Sequence, residues 1–186
     1  SSMPSIKEND VAEIISEKSF VFSPIEFTTI HKRLFEGIYS HAGKIRDYNI
    51  TKDEWVLDGD TVIYGNAINL RETLEYDFGV EKNFDYKGLS TEDVIKHVAR
   101  FISNLWQIHI FGEGNTRTTA VFLIKYLSIT ETAEKAARQY ESTLAVMRLS
   151  ELLAKSKKVA EVPVKKGTEN QRPFLKMYIM QLDNIK

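Results

Sequence analysis

The stretch His109-Ile110-Phe111-Gly112-Glu113-Gly114-Asn115-Thr116-Arg117 gathers a base (His109), a carboxylate (Glu113), an amide (Asn115) and a fixed cation (Arg117). Phosphate is held by N–H donors and a guanidinium. Mg2+ takes one or two carboxylates together with phosphate oxygens. A hydroxyl nucleophile needs a base that titrates near neutrality. The stretch therefore has the parts for chemistry at a phosphorus centre. Gly112 and Gly114 let backbone amides turn inward at low steric cost. Taken singly, each residue has a plainer reading: a satisfied histidine after an apolar helix, a Gly-x-Gly-Asn interhelix turn, a solvated Glu or Arg. Phe111 reads as a core anchor in any case. Their co-occurrence at this spacing is what points to function.

The elements that must position this stretch are helical. Val94, Val98, Phe101, Ile102 and Leu105 recur at helical spacing behind a capping-box-like Ser90-x-x-Asp93, predicting a helix that ends near Ile108. The mostly apolar Thr116–Leu127 predicts a buried helix leaving the loop, whose N-terminus favours an anion. Further helices are predicted over Glu8–Ser19, over Ile25–Ser40 behind Ser23-Pro24, near Ala67–Tyr76, over 130–157 and over Pro173–Leu182, with a break at Pro163–Gly167. In the second of these, Phe27, Ile30, Leu34, Phe35 and Ile38 are spaced for one buried face. A β-hairpin is predicted with arms Glu54–Leu57 and Asp60–Tyr64 around Asp58-Gly59, a pair suited to a type I′ turn. The fold class is all-α, a helical bundle with one small hairpin.

With 186 residues, 42% apolar and 27% charged, the chain has the balance of a single globular domain. A net charge of −1 gives no global argument for nucleic acid or a membrane. The charge is uneven: residues 128–186 carry 11 Lys/Arg against 7 Asp/Glu, read as a solvated helical surface. Absence of cysteine excludes disulfides and thiolate chemistry and fits a reducing, cytoplasmic setting. No apolar run approaches membrane-spanning length, no signal pattern is expected at the N-terminus, and Ser1-Ser2 ahead of Met3 is read as a cloning scar. His31, His41, His97 and His109 lack metal-ligand spacing, which argues against a zinc hydrolase.

The loop resembles the signature of the Fic family, His-Pro-Phe-x-(Asp/Glu)-Gly-Asn-Gly-Arg-x-x-Arg. A second block, Ile30-His31-Lys32-Arg33-Leu34-Phe35-Glu36-Gly37-Ile38-Tyr39 followed by Ala42-Gly43-Lys44-Ile45-Arg46 and Asn49-Ile50, resembles the family's N-terminal helix and the loop after it. The resemblance covers about residues 20–127 of one domain, leaving 128–186 as C-terminal helices. It implies a protein adenylyltransferase that moves AMP from Mg·ATP to a Tyr, Thr or Ser hydroxyl of a target protein. His109 would be the general base and Glu113 the magnesium carboxylate. Gly112, Gly114, Asn115, Thr116 and Arg117 would steady the nucleotide. The hairpin would be a flap, with Thr61, Val62, Ile63 and Tyr64 aligning an extended target segment by strand addition. An inhibitory helix in the same chain or an antitoxin-like partner is also implied, and self-association is left open.

Three departures bear on this. Ile110 replaces the family proline. Thr116 replaces the second glycine, where its side chain either crowds the phosphates or binds one. Ala120 replaces the second arginine, which in the family touches the distal phosphate and pairs with an inhibitory glutamate. Thr130-x-x-x-Glu134 is the nearest approach to an inhibitory motif. The alternatives are Doc-type phosphotransfer, whose members carry Lys at the position of Thr116, and a non-catalytic nucleotide-binding module.

Overall fold

The computed structural model of the protein describes residue 6 and residues 8–53, 61–127, 140–145 and 147. Helix α1 spans Glu8–Ser16, α2 Pro24–Phe35, α3 Leu70–Lys82, α4 Thr91–Ile108 and α5 Asn115–Leu127; strands β1 (Thr51–Asp53) and β2 (Thr61–Ile63) lie between α2 and α3. The architecture is an all-α bundle with one short antiparallel hairpin. Of the helix expected over 130–157, residues 140–145 are described and helical, and Tyr140, Leu144 and Met147 are buried. The Asp58-Gly59 turn, Glu134, the break at Pro163–Gly167 and the helix over Pro173–Leu182 lie outside the described residues. No helix among the described residues is long and apolar enough to cross a membrane.

Local signals explain most helix boundaries. Ser23 caps α2 by accepting from Glu26 N at 3.2 Å with Pro24 in the first turn, and Ser90 caps α4 by accepting from Asp93 N at 3.1 Å. Helix α2 stops at Phe35, short of the expected Ser40: Glu36 leaves helical geometry (ψ 128°) and Gly37 takes φ 83°. Ile38, expected in the core, is therefore turned out to solvent. Helix α3 runs beyond Tyr76, because Leu70, Leu74, Phe78 and Glu81 continue one buried face to Lys82.

The hairpin's register differs from the one its turn residues suggest. A two-residue turn at Asp58-Gly59 would set Thr61 opposite Val56. Instead Thr61 pairs with Asp53, Val62 with Lys52 and Ile63 with Thr51. The base of the hairpin sets this register. There the Arg46 guanidinium bridges the carbonyls of Tyr48 (2.7 Å) and Gly65 (2.6 Å), and Asn49 Oδ1 accepts from Ala67 N at 2.8 Å.

Helix α5 is the axis of the bundle, packed by α1, α2 and α4 and buried continuously from Arg117 to Lys125. Around it Phe27, Phe78, Phe101 and Phe122 meet edge-on or tilted; Phe27 and Phe122 stand at 5.5 Å and 89°. Lys125 brings a cation into this core. Lys125 is 6% exposed and its ammonium donates to the carbonyls of Ile14 (2.6 Å) and Glu17 (3.3 Å) at the C-terminal end of α1, a helix with no basic residue of its own there. Replacing Lys125 by methionine keeps the volume but leaves those carbonyls without a donor. Unfolding free energy in urea should drop by about 1–3 kcal/mol; an unchanged midpoint would show that solvent serves them instead.

Candidate active site

His109 terminates α4 in the left-handed region (φ 53°, ψ 59°), the single non-glycine residue with positive φ among those described. A helix usually places glycine in such a conformation, and holding another residue there costs on the order of 1–3 kcal/mol unless the surroundings fix it. Arg46 supplies much of that fixation. It is 5% exposed; its Nε donates to His109 O at 2.6 Å, one Nη2 bond reaches Ile108 O at 3.2 Å, and its backbone N–H donates to Ile110 O at 2.8 Å. Gly65 N adds a bond to Ile108 O at 3.1 Å. The guanidinium thus closes the C-terminus of α4 with a cation, where the helix dipole favours one. Burial lowers its pKa from the ordinary value.

The His109 ring is oriented by its own helix. Nδ1 lies 2.9 Å from Trp106 O. A carbonyl only accepts, so Nδ1 carries the hydrogen and the neutral ring has its lone pair on Nε2. Tyr64 stacks on the imidazole at 3.9 Å and Trp106 meets it edge-on at 4.9 Å. Tyr64 was expected in the docking flap. Its ring is instead buried against His109, because the Gly65–Ile108 bond draws the chain onto the end of α4.

The rest of the loop is a closed turn. Asn115 binds both main-chain groups of Phe111: Nδ2 donates to the carbonyl at 2.8 Å and Oδ1 accepts from the N–H at 3.0 Å. This amide was expected at a phosphate; its partners make it the clasp of the loop, since one buried amide serves both the N–H and the C=O of Phe111. Gly114 has φ 83°, and a Cβ there would press on Phe35, coming within 2.6 Å of Cζ. At Gly112 a Cβ would collide with the Tyr48 hydroxyl. Thr116 neither projects a cation nor stands alone: its Oγ1 accepts from the Trp106 indole N–H at 2.9 Å. Ala120, in place of the family's second arginine, is fully buried in α5.

Glu113 and Arg117 are brought together through Tyr39. The phenol donates to Glu113 Oε2 at 2.8 Å and accepts from Arg117 Nη2 at 3.5 Å, while the Arg117 guanidinium lies 4.6 Å above the Phe35 ring. The Glu113 backbone is held from the other side. His31, with no exposed surface, donates from Nε2 to Glu113 O at 2.8 Å, accepts at Nδ1 from Gly43 N at 2.8 Å and stacks on Phe111 at 3.7 Å. Both ring nitrogens are thereby committed to the neutral form, and burial lowers the pKa to about 4. No group of three or more His, Cys, Asp or Glu among the described residues is placed to hold a metal. One exposed carboxylate beside a guanidinium suits Mg2+ that arrives on a nucleotide, for phosphate oxygens and water then complete its shell.

His31, Tyr39 and Arg46 surround the candidate site, and motif reading left them without a role. They stand in the second quoted block, and their side chains all reach the 109–117 loop. Thr61, Val62 and Ile63 lie in β2 as expected, paired to β1.

The family model described as Fic/DOC family matches residues 21–127. A relative, protein adenylyltransferase VbhT of Bartonella schoenbuchensis, is 30% identical over 94 residues, which are 50% of this chain and 18% of that protein. The match therefore spans less than a fifth of the relative's own length.

The neutral His31 makes the fold acid-sensitive. Its folded pKa of about 4 lies below the ordinary 6.5, so stability is complete above pH 6.5 and falls as the unfolded chain binds a proton that the native site resists. Between about pH 6.5 and 4 the loss should be on the order of 3 kcal/mol. His31→Gln keeps an N–H donor and cannot titrate. Urea unfolding across this range should show a steeper pH slope for wild type than for the variant; equal slopes would refute the assignment.

Proposed function

The chain belongs to the Fic/DOC family, whose members transfer nucleotide or phosphate-containing groups, and we propose that it transfers AMP from ATP to a hydroxyl of a target protein. The observation that carries this reading is the His109 ring, whose Nδ1 hydrogen is fixed on Trp106 O so that Nε2 is the basic nitrogen, at the head of a loop that also presents Glu113 and Arg117. The target oxygen attacks the α-phosphorus, its proton passes to His109 Nε2, the bond from the α-phosphorus to the bridging oxygen breaks, and pyrophosphate leaves. General-base assistance of this kind is worth about 10²–10⁴-fold. Arg117 steadies negative charge on the phosphates with a guanidinium already fixed over Phe35, so little reorganisation is needed. Glu113 would hold the accompanying Mg2+, which when bound neutralises phosphate charge and polarises the reacting phosphoryl group.

The main chain of Thr61–Ile63 offers a strand along which an extended target segment could pair and present its hydroxyl. Terminal-phosphate transfer is less well supported: Thr116 supplies a neutral hydroxyl bonded to Trp106 where that branch uses lysine.

With α-labelled ATP, Mg2+ and a cell lysate, wild type should label protein and His109→Ala should lose at least about 10²-fold in rate while keeping its nucleotide affinity. Label surviving in the variant would sink the base assignment. Label transferred from the γ-position instead would replace AMP transfer by phosphotransfer.

A further inference from the structure

We propose that Tyr39 is a positioning residue for the metal carboxylate: its hydroxyl orients Glu113 for a divalent cation and couples that carboxylate to Arg117. The inference rests on the reading of Glu113 as the carboxylate that holds Mg2+. Tyr39 follows the end of α2, where Ile38 N and Tyr39 N both donate to Phe35 O (2.9 and 3.0 Å), so its backbone is part of a fixed turn. Its ring stacks on Phe35 at 5.1 Å and on His41 at 4.8 Å. A side chain confined in this way directs its O–H rather than following its partner. Glu113, by contrast, is exposed and its carboxylate would otherwise sample several rotamers.

The hydrogen-bond roles are unambiguous. Arg117 can only donate, so the phenol oxygen accepts from it and gives its single hydrogen to Glu113 Oε2. Oε2 is thereby engaged and Oε1 is left for a cation. Arg117 and Glu113 share one hydroxyl, so the group that would neutralise phosphate and the group that would hold the ion are set relative to each other before any ligand arrives. Outer-shell partners of ligating carboxylates commonly contribute about 10–100-fold in metal affinity.

Tyr39→Phe removes the hydroxyl and keeps the ring that stacks on Phe35 and His41. Mn2+ would be titrated into each protein by electron paramagnetic resonance, with an ATP analogue whose α,β-bridge is methylene so that no turnover occurs. Tyr39→Phe should weaken Mn2+ binding about tenfold while the thermal midpoint stays at the wild-type value. Tyr39→Leu, lacking ring and hydroxyl, should lower the midpoint as well yet lose no more metal affinity than the phenylalanine variant. Glu113→Gln is the reference. If it weakens Mn2+ binding and Tyr39→Phe does not, the positioning role is overturned and the carboxylate assignment stands. If Tyr39→Phe binds Mn2+ more tightly, the hydroxyl competes with the ion and the proposal is likewise overturned. If Glu113→Gln itself has no effect, the metal-carboxylate reading falls and takes this inference with it.

Discussion

The Arg46 guanidinium is the interaction on which site and fold jointly depend. It faces main-chain carbonyls instead of a carboxylate: those of Tyr48, Gly65, Ile108 and His109. The two ends of the hairpin, the last turn of α4 and the left-handed His109 all meet on one planar cation. A lysine could carry the charge but not the fork of donors in fixed directions. Buried charge without a counter-ion is costly unless its hydrogens are satisfied, and here two of the oxygens it satisfies, those of Ile108 and His109, lie at the C-terminal end of α4. The hairpin is therefore an extension of the candidate site's scaffold, with its register set at the base by the same residue that fixes the backbone of the candidate base.

Within the loop, polar groups that would be expected to face a ligand mostly face one another. Asn115 closes on Phe111, Thr116 receives the Trp106 indole, and His31 joins Glu113 to Gly43. Such buried networks rigidify when every member is satisfied. These residues hold the loop, and in the proposed reading His109, Glu113 and Arg117 are the groups that act. Electrostatic catalysis depends on groups aligned before the substrate arrives, so in the proposed transfer the holding residues would matter to rate without touching a reactant.

What the sequence made legible was local. Caps at Ser23 and Ser90, the faces of α2 and α4, and the burial of α5 follow from residue type and spacing within one or two turns. The motif 109–117 was legible because its parts are contiguous. Misjudged features depend on contacts made elsewhere. Ile38 fits the α2 periodicity, yet the chain leaves the helix at Glu36. Gly79 and the exposed Tyr76 and Val80 disguise the length of α3, whose real signal is the spacing of Leu70, Leu74, Phe78 and Glu81. The hairpin register answers to Arg46 and Asn49 instead of Asp58-Gly59. His31, Tyr39 and Arg46 act across separations of 82, 74 and 63 residues. No periodicity argument reaches that far, and only the bundle's closure brings them to the loop.

The Trp106–Thr116 bond carries a consequence for how this sequence can drift. It joins the last turn of α4 to the first turn of α5, across the loop that both flank. Exchanging Thr116 for the glycine found in related loops would remove the oxygen that now receives the indole N–H and restore backbone freedom at the start of α5. Exchanging Trp106 alone would strand the threonine hydroxyl and uncover the edge of His109. The two positions are therefore epistatic: a change tolerated at one is conditional on the residue at the other.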